Sequence, residues 1–303
     1  MRLRVVLHVT RGLARPAQAF LPGLDAGAAS PWCLRWHGGV HSWRHTADGG
    51  IDPHRYVVEP IADAAAAHFI RAQHYSGTSV AARFPYGLLD RRDRTLHGVA
   101  ILSVPVSRAV LTNAFPTLEP YQQSLELGRF ALLDECPANT ETWFLARVLR
   151  LAHEAGIRGV VSFADPLPRR TLDGQLVLAG HVGTIYQASA HAIYTGRGTP
   201  RTLLLLPDAT VLNGRALQKI RRQEVGHRYA EARLIAAGAP HRDGQSVESW
   251  LVEALDAAHI RRVRHPGPHR YLFPLGDRRE RRQLLLGYQP HEIRPKRPDP
   301  EPS

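Results

Sequence analysis

Residues 124–164 constrain the fold more than any other part of the chain. SLELGRFALLD alternates apolar and polar positions as a strand does, and PANTETWFLARVLRLAHEAG carries Phe144, Val148, Leu151 and Ala155 on one helical face. GVVSFAD is then a short run of the kind buried on both sides. Asn139 or Thr140 stands where a cap is needed, Glu141 suits the positive end of the helix, and Gly156 stops it. Strand, amphipathic helix and buried strand in this order place the chain in the α/β class.

The flanking pattern agrees. RYVVEP reads as a short strand and IADAAAAHFIRAQHY as a helix closed at Ser76-Gly77. FPYGLLD and LHGVAILSVPV make a hairpin across the polar turn DRRDRT, with Gly87 and Gly98 allowing close backbone approach. IYQASAHAIYTG reads as a short helix leading to the strand RTLLLLPD. The order predicts a mixed central sheet flanked by helices over residues 51–206.

Residues 1–50 lack a steady period and read as a loosely ordered basic arm. Within it WHGGVHSWRH spaces His37, His41 and His45 four apart, which on a helix would align three imidazoles. Gly38 and Gly39 break such a helix, and no metal is expected. Residues 207–276 read as a basic helical region with a closing strand at HRYLF, and 277–303 as a disordered Arg/Pro-rich tail.

Charge narrows the partners. Against 27 Asp and Glu stand 39 Lys and Arg, almost all of them Arg, for a net charge of +12 in 303 residues. Arg suits bidentate phosphate contacts, so nucleic acid is the expected partner, with an Arg-rich composition and a merely solvated basic face as the alternative; Lys219, Arg221, Arg222, Arg228 and Arg270 are the candidate contacts, with Tyr229, Tyr271 and Phe273 interleaved for stacking. No apolar run approaches the ~18 residues of a membrane span, and the arginines near Met1 interrupt any signal-peptide core, so a cytoplasmic location is expected. Cys33 and Cys136 form no metal or disulfide framework.

Four segments occur together in one order: AQHYSG at 72–77, ELGRFALLDECPANTETWFLARVLR at 126–150, VVSFADP at 160–166 and GHVGTIYQAS at 180–189. In these the chain resembles the phage Mom family of DNA adenine-modifying proteins. The resemblance implies a GNAT acyltransferase-like fold, with a sheet splayed at its centre, and an enzyme that adds a carbamoylmethyl group to the exocyclic N6 of adenine in DNA, shielding phage or mobile-element DNA from restriction. It further implies an acyl or aminoacyl donor, of which acetyl-CoA is one candidate. Two departures stand out. PLPRRTLDGQLVLA, at 166–179, is longer than the expected link and suits a lid or DNA-facing loop, and the glycine-rich loop of acetyl-CoA-binding members is missing before the helix at 140.

The chemistry asks for a base or orienting carboxylate beside a weak amine nucleophile, a proton donor and cationic clamps. Asp165, at the end of a buried strand, is the candidate base or orienter, with a turn cap before Pro166 as its structural alternative. Tyr186 is the candidate general acid, Arg129 the cation that pairs with Asp165 or binds donor, and Tyr75 the ring that stacks on a base. Asn139, Thr140, Arg147 and His181 are candidate donor contacts. Two other readings fit the same residues: acylation of a small molecule, tRNA or protein amine, and a non-catalytic DNA-binding protein on this scaffold.

Overall fold

The computed structural model describes residues 32–189 and 191–296. It begins with a hairpin, β1 (Trp32–His37) and β2 (Val40–His45), inside the stretch expected to be a loose arm. Gly38 and Gly39, at φ 54° and 79°, make its two-residue turn. The hairpin also disposes of the helical reading of the histidines: His41 and His45 lie on one face and His37 on the other, and among the described residues no cluster could hold a metal.

β3 (Tyr56–Pro60), α1 (Asp63–Gln73), β4 (Ala82–Asp90), β5 (Leu96–Ser103), the short α2 (Ala109–Thr112), β6 (Ser124–Leu132), α3 (Thr140–Glu154) and β7 (Gly159–Ala164) follow. The expected cap of α3 is absent. Asn139 takes the left-handed conformation without a side-chain bond, and the Thr140 hydroxyl donates backward to Pro137 O. Next come a small hairpin, β8 (Arg169–Arg170) and β9 (Leu176–Leu178), then α4 (Thr184–Gln187) and β10 (Ile193–Arg197). β11 (Arg201–Leu205), β12 (Val211–Leu212), α5 (Gly214–Arg222), α6 (His227–Ala236), α7 (Val247–Ala257) and β13 (Arg261–His265) form an excursion, and β14 (His269–Pro274) and α8 (Arg278–Gln283) close the described chain.

The central sheet has seven strands in the order β10-β14-β7-β6-β5-β4-β3. β6 and β7 are parallel, and every other neighbouring pair is antiparallel. α3 buries Phe144, Leu145 and Val148 against one face with Leu125 and Val160, while α1 buries Phe69 and Ile70 against the other with Val99 and Ile101. Each such side chain contributes roughly 1.5–3 kcal/mol of transfer free energy. RTLLLLPD does not belong to this sheet: β11 pairs with β12 and β13 in a separate three-stranded sheet, and Ile193–Arg197 takes the edge of the main one. The excursion has its own core of Leu217, Ile220, Leu234, Trp250 and Leu251, which Leu204 and Leu206 join, and this explains why the leucine run is drawn away.

The segment expected to be a disordered tail is ordered through residue 296. Asp277 and Glu280 form a reciprocal capping box on α8, Glu280 pairs with Arg158, and His291 N–H donates to Tyr194 O.

Candidate active site

β6 and β7 pair from Ser124↔Gly159 to Leu127↔Ser162 and then part, although each strand continues. Gly128 is the extra residue of a bulge at this point, since Leu127 opposes Leu102 and Arg129 opposes Ile101. Where the strands diverge a cavity of about 380 Å³ opens. Tyr75 from the end of α1, Arg129 from β6, Asn139 before α3, and His181 and Tyr186 around α4 all line it, so residues far apart in sequence converge there.

The GHVG turn makes this convergence possible. Gly183 sits at φ 78°, and a Cβ there would lie 2.6 Å from a ring carbon of Tyr271 and 2.8 Å from one of Tyr186. The hydroxyl of Tyr271 donates to Val182 O, fixing the loop that presents Tyr186. Tyr186 itself is 5% exposed. Burial pushes its phenol up to about 12 against an opposing hydrogen bond with Ser162, so it stays protonated and able to donate.

Asp165 lies behind the cavity wall. Burial would raise its pKa, but the Arg169 guanidinium, the Leu167 N–H and His265 outweigh that and hold it below the usual carboxylate range. Arg169 forms an ion pair with it. His265 accepts Gly267 N–H at Nδ1 (2.9 Å), which leaves Nε2 to donate to Asp165 at 2.9 Å. The carboxylate is therefore spent, and its main-chain oxygen accepts His181 N–H at 2.7 Å. This geometry favours the orienting role over the basic one. The expected Arg129–Asp165 pair does not form, because Asp165 is already satisfied; Arg129 donates instead to Thr78 O (3.0 Å), the Thr78 hydroxyl (3.3 Å) and Gly128 O (2.7 Å). Sequence reasoning missed both partners. Arg169 sits on the β8–β9 insertion, and His265 is a single histidine on β13 with no motif around it.

Burial also lowers the imidazole pKa of His181, and it pushes that of His74 down to about 3, so both rings are neutral near pH 7. His74 lies against Tyr75 with ring centres 4.2 Å apart. At the helix start the Glu141 carboxylate is buried and paired with Arg35 of the hairpin, Arg35 also donates to Pro137 O (2.8 Å), and Ala138 N–H is taken by Gly49 O (3.1 Å). A protein carboxylate thus occupies the positive end of α3, and a donor of the coenzyme A kind would have its diphosphate held elsewhere. Thr140 is buried and bonded internally, and Arg147 lies over the Trp143 ring at 3.5 Å, outside the cavity lining.

The basic candidates separate. Arg221, Arg222 and Arg228 are exposed on α5 and α6 and Lys219 is half-buried beside them, with Tyr229 74% exposed nearby. Arg270 is not part of that face: it donates to Thr195 O (3.0 Å) and the Thr195 hydroxyl (2.9 Å) and lies 3.3 Å over the Tyr288 ring. Tyr271 and Phe273 are core residues and cannot stack on bases. No helix among the described residues is long and apolar enough to cross a membrane.

Comparison with solved structures returns a protein provisionally described as a phosphinothricin N-acetyltransferase, at 10% identity and TM-score 0.33 over 73% of this chain and 99% of that one. It also returns a tandem GNAT protein from the clavulanic acid biosynthesis pathway, at 8% identity and TM-score 0.32 over 73% of this chain and 75% of that one. Likenesses this distant say nothing about chemistry. No curated protein matches the sequence. The model of the Mom protein family, in contrast, matches residues 55–293, which include the cavity residues Tyr75, Arg129, Asn139, His181 and Tyr186. The chain belongs to the Mom protein family.

Proposed function

We propose that the protein is an acyltransferase-like enzyme that modifies DNA, adding a carbamoylmethyl group to N6 of adenine and so protecting phage or mobile-element DNA from restriction. The observation that carries this reading is the convergence of Tyr75, Arg129, His181 and Tyr186 on one cavity at the split of the sheet, in a chain matched by the Mom family over most of its length. Tyr75 lies flat against the acceptor base. His181, neutral and in the wall, takes the proton that the acceptor amine sheds. Tyr186, still protonated, donates to the departing group of the donor. Arg129, its guanidinium anchored on Thr78, supplies a fixed positive charge where charge develops. The Asp165 carboxylate, fixed by Arg169 and His265, holds the residue in place so that its main-chain oxygen accepts His181 N–H and positions the 180–183 turn. The exposed arginines of α5 and α6 hold the phosphate backbone.

The test is mass spectrometry of nucleosides from the DNA of cells expressing wild type, Tyr186→Phe and Asp165→Ala. The reading expects a modified deoxyadenosine with wild type that is absent or strongly reduced in both variants. Well-folded wild-type protein that leaves deoxyadenosine unmodified would transfer the activity to another amine acceptor.

A further inference from the structure

The family match begins at residue 55, yet the hairpin at 32–45 is built into the cavity. It is held on several sides. Its Arg35 enters the ion pair with Glu141, Trp36 bridges to Leu133 beyond the end of β6, Gly39 N–H donates to Gln73 O (3.0 Å), and Gly38 N–H donates to the Gln73 side chain (2.8 Å). The register of the hairpin, Trp32 opposite His45 and Trp36 opposite His41, places three tryptophans on one face with those histidines. Trp32, Trp36 and Trp43 all line the cavity. Trp36 is nearly fully buried and continues into the rings of Tyr75 and His74, at centroid distances of 5.1 and 5.5 Å, whereas Trp32 and Trp43 remain partly exposed at the mouth.

We infer that this hairpin is a second recognition element, an aromatic wall that stacks the acceptor nucleobase once it has left the duplex, with Trp43 and Trp32 as the residues that grip it. The inference rests on the nucleic-acid reading above. The occupant must be flat, because the wall consists of indole, phenol and imidazole faces. It must also be uncharged in the part that meets this wall: Trp32, Trp36, Trp43 and Tyr75 bring no charge to it, His74 carries none near pH 7, and the cation of the cavity, Arg129, belongs to β6 rather than to the hairpin. A nucleobase meets both demands and a phosphate meets neither. An enzyme acting on a base needs such a surface, because the base leaves its stacking partners behind when it is extruded.

Fluorescence anisotropy with the full chain and two labelled single strands of equal length, an oligodeoxyadenylate and its abasic analogue, tests this. Wild type should bind the deoxyadenylate more tightly. Trp43→Ala and Trp32→Ala should each lose affinity for it on the order of tenfold, with abasic binding unchanged, and Trp43→Phe should retain the preference. Alanine variants that unfold cooperatively and keep the full preference would overturn the role of the hairpin, as would a wild type indifferent to bases. Failure to bind either strand would instead sink the nucleic-acid reading, and the occupant with it.

Discussion

His265 donates through Nε2 to the Asp165 carboxylate at 2.9 Å across 100 positions of sequence, which ties the three-stranded excursion sheet to the end of β7. His265 is wholly buried, and its acceptor role at Nδ1 is fixed by Gly267 N–H, so the ring has one orientation in which both nitrogens are satisfied. The carboxylate that the sequence offers as base or orienter thus also joins the two parts of the chain.

Replacing Asp165 by Asn should cost about 1.5–3 kcal/mol, the value of hydrogen bonds to a charged group, and lower the melting temperature by roughly 5 °C near pH 7. Because the folded pKa lies below the ordinary 3.8, the wild-type advantage is fully present above that value and disappears as pH falls through the folded one. Calorimetric melting of both proteins from pH 7 downward checks this. An advantage that stays the same as pH falls through the whole carboxylate range would show that the charge of Asp165 contributes nothing.

His74 gives a different window. Its folded pKa, pushed down by burial to about 3, lies below the unfolded value of 6.5, so the unfolded chain takes up the proton first and stability falls as pH drops from 6.5 toward 3. The slope from this group is at most about 1.4 kcal/mol per pH unit. His269, pushed down to about 4, adds to it. His74→Phe should shallow the acid slope in denaturant titrations between pH 6 and 4, whereas an unchanged slope would mean that the ring is hydrated in solution.

The main sheet was legible because its strands and α3 carry their period locally: Phe144, Val148 and the GVVSFAD run announce their burial without any distant partner. The sequence also places Tyr75, Arg129, His181 and Tyr186 in motifs that the structure brings together. What escaped depends on partners far away. The strand at Ile193–Arg197 gains its identity only from β14, some 75 residues later, and RTLLLLPD loses its place because the helices after it supply a second core. The hairpin is the clearest instance. VHSWRH does alternate, but its Gly-Gly turn and basic surroundings resemble an arm until Glu141 and Gln73 are seen to receive it.

The Arg35–Glu141 pair predicts an asymmetric response to mutation. Both side chains are buried, so Glu141→Gln leaves an uncompensated guanidinium and should cost about 3–5 kcal/mol. The double variant Arg35→Met with Glu141→Leu removes both charges and should recover most of the loss. Urea unfolding of wild type, Glu141→Gln and the double variant measures it. A Glu141→Gln variant within about 1 kcal/mol of wild type would mean that water reaches the pair.

Gly183→Ala separates positioning from stability. At φ 78° an alanine costs roughly 1–2 kcal/mol of backbone strain, and its methyl group would press on the rings of Tyr271 and Tyr186. The packed Tyr271 is anchored by its bonds to Val182 O and Gln187, so Tyr186 is the ring that gives way. A displacement of the order of 1 Å at a catalytic phenol lowers rate about a hundredfold. DNA modification, read by nucleoside mass spectrometry, should therefore fall far more than the melting temperature suggests. Unimpaired modification in a Gly183→Ala protein would show that the turn does not set the position of Tyr186, and the role given to that phenol would fall with it.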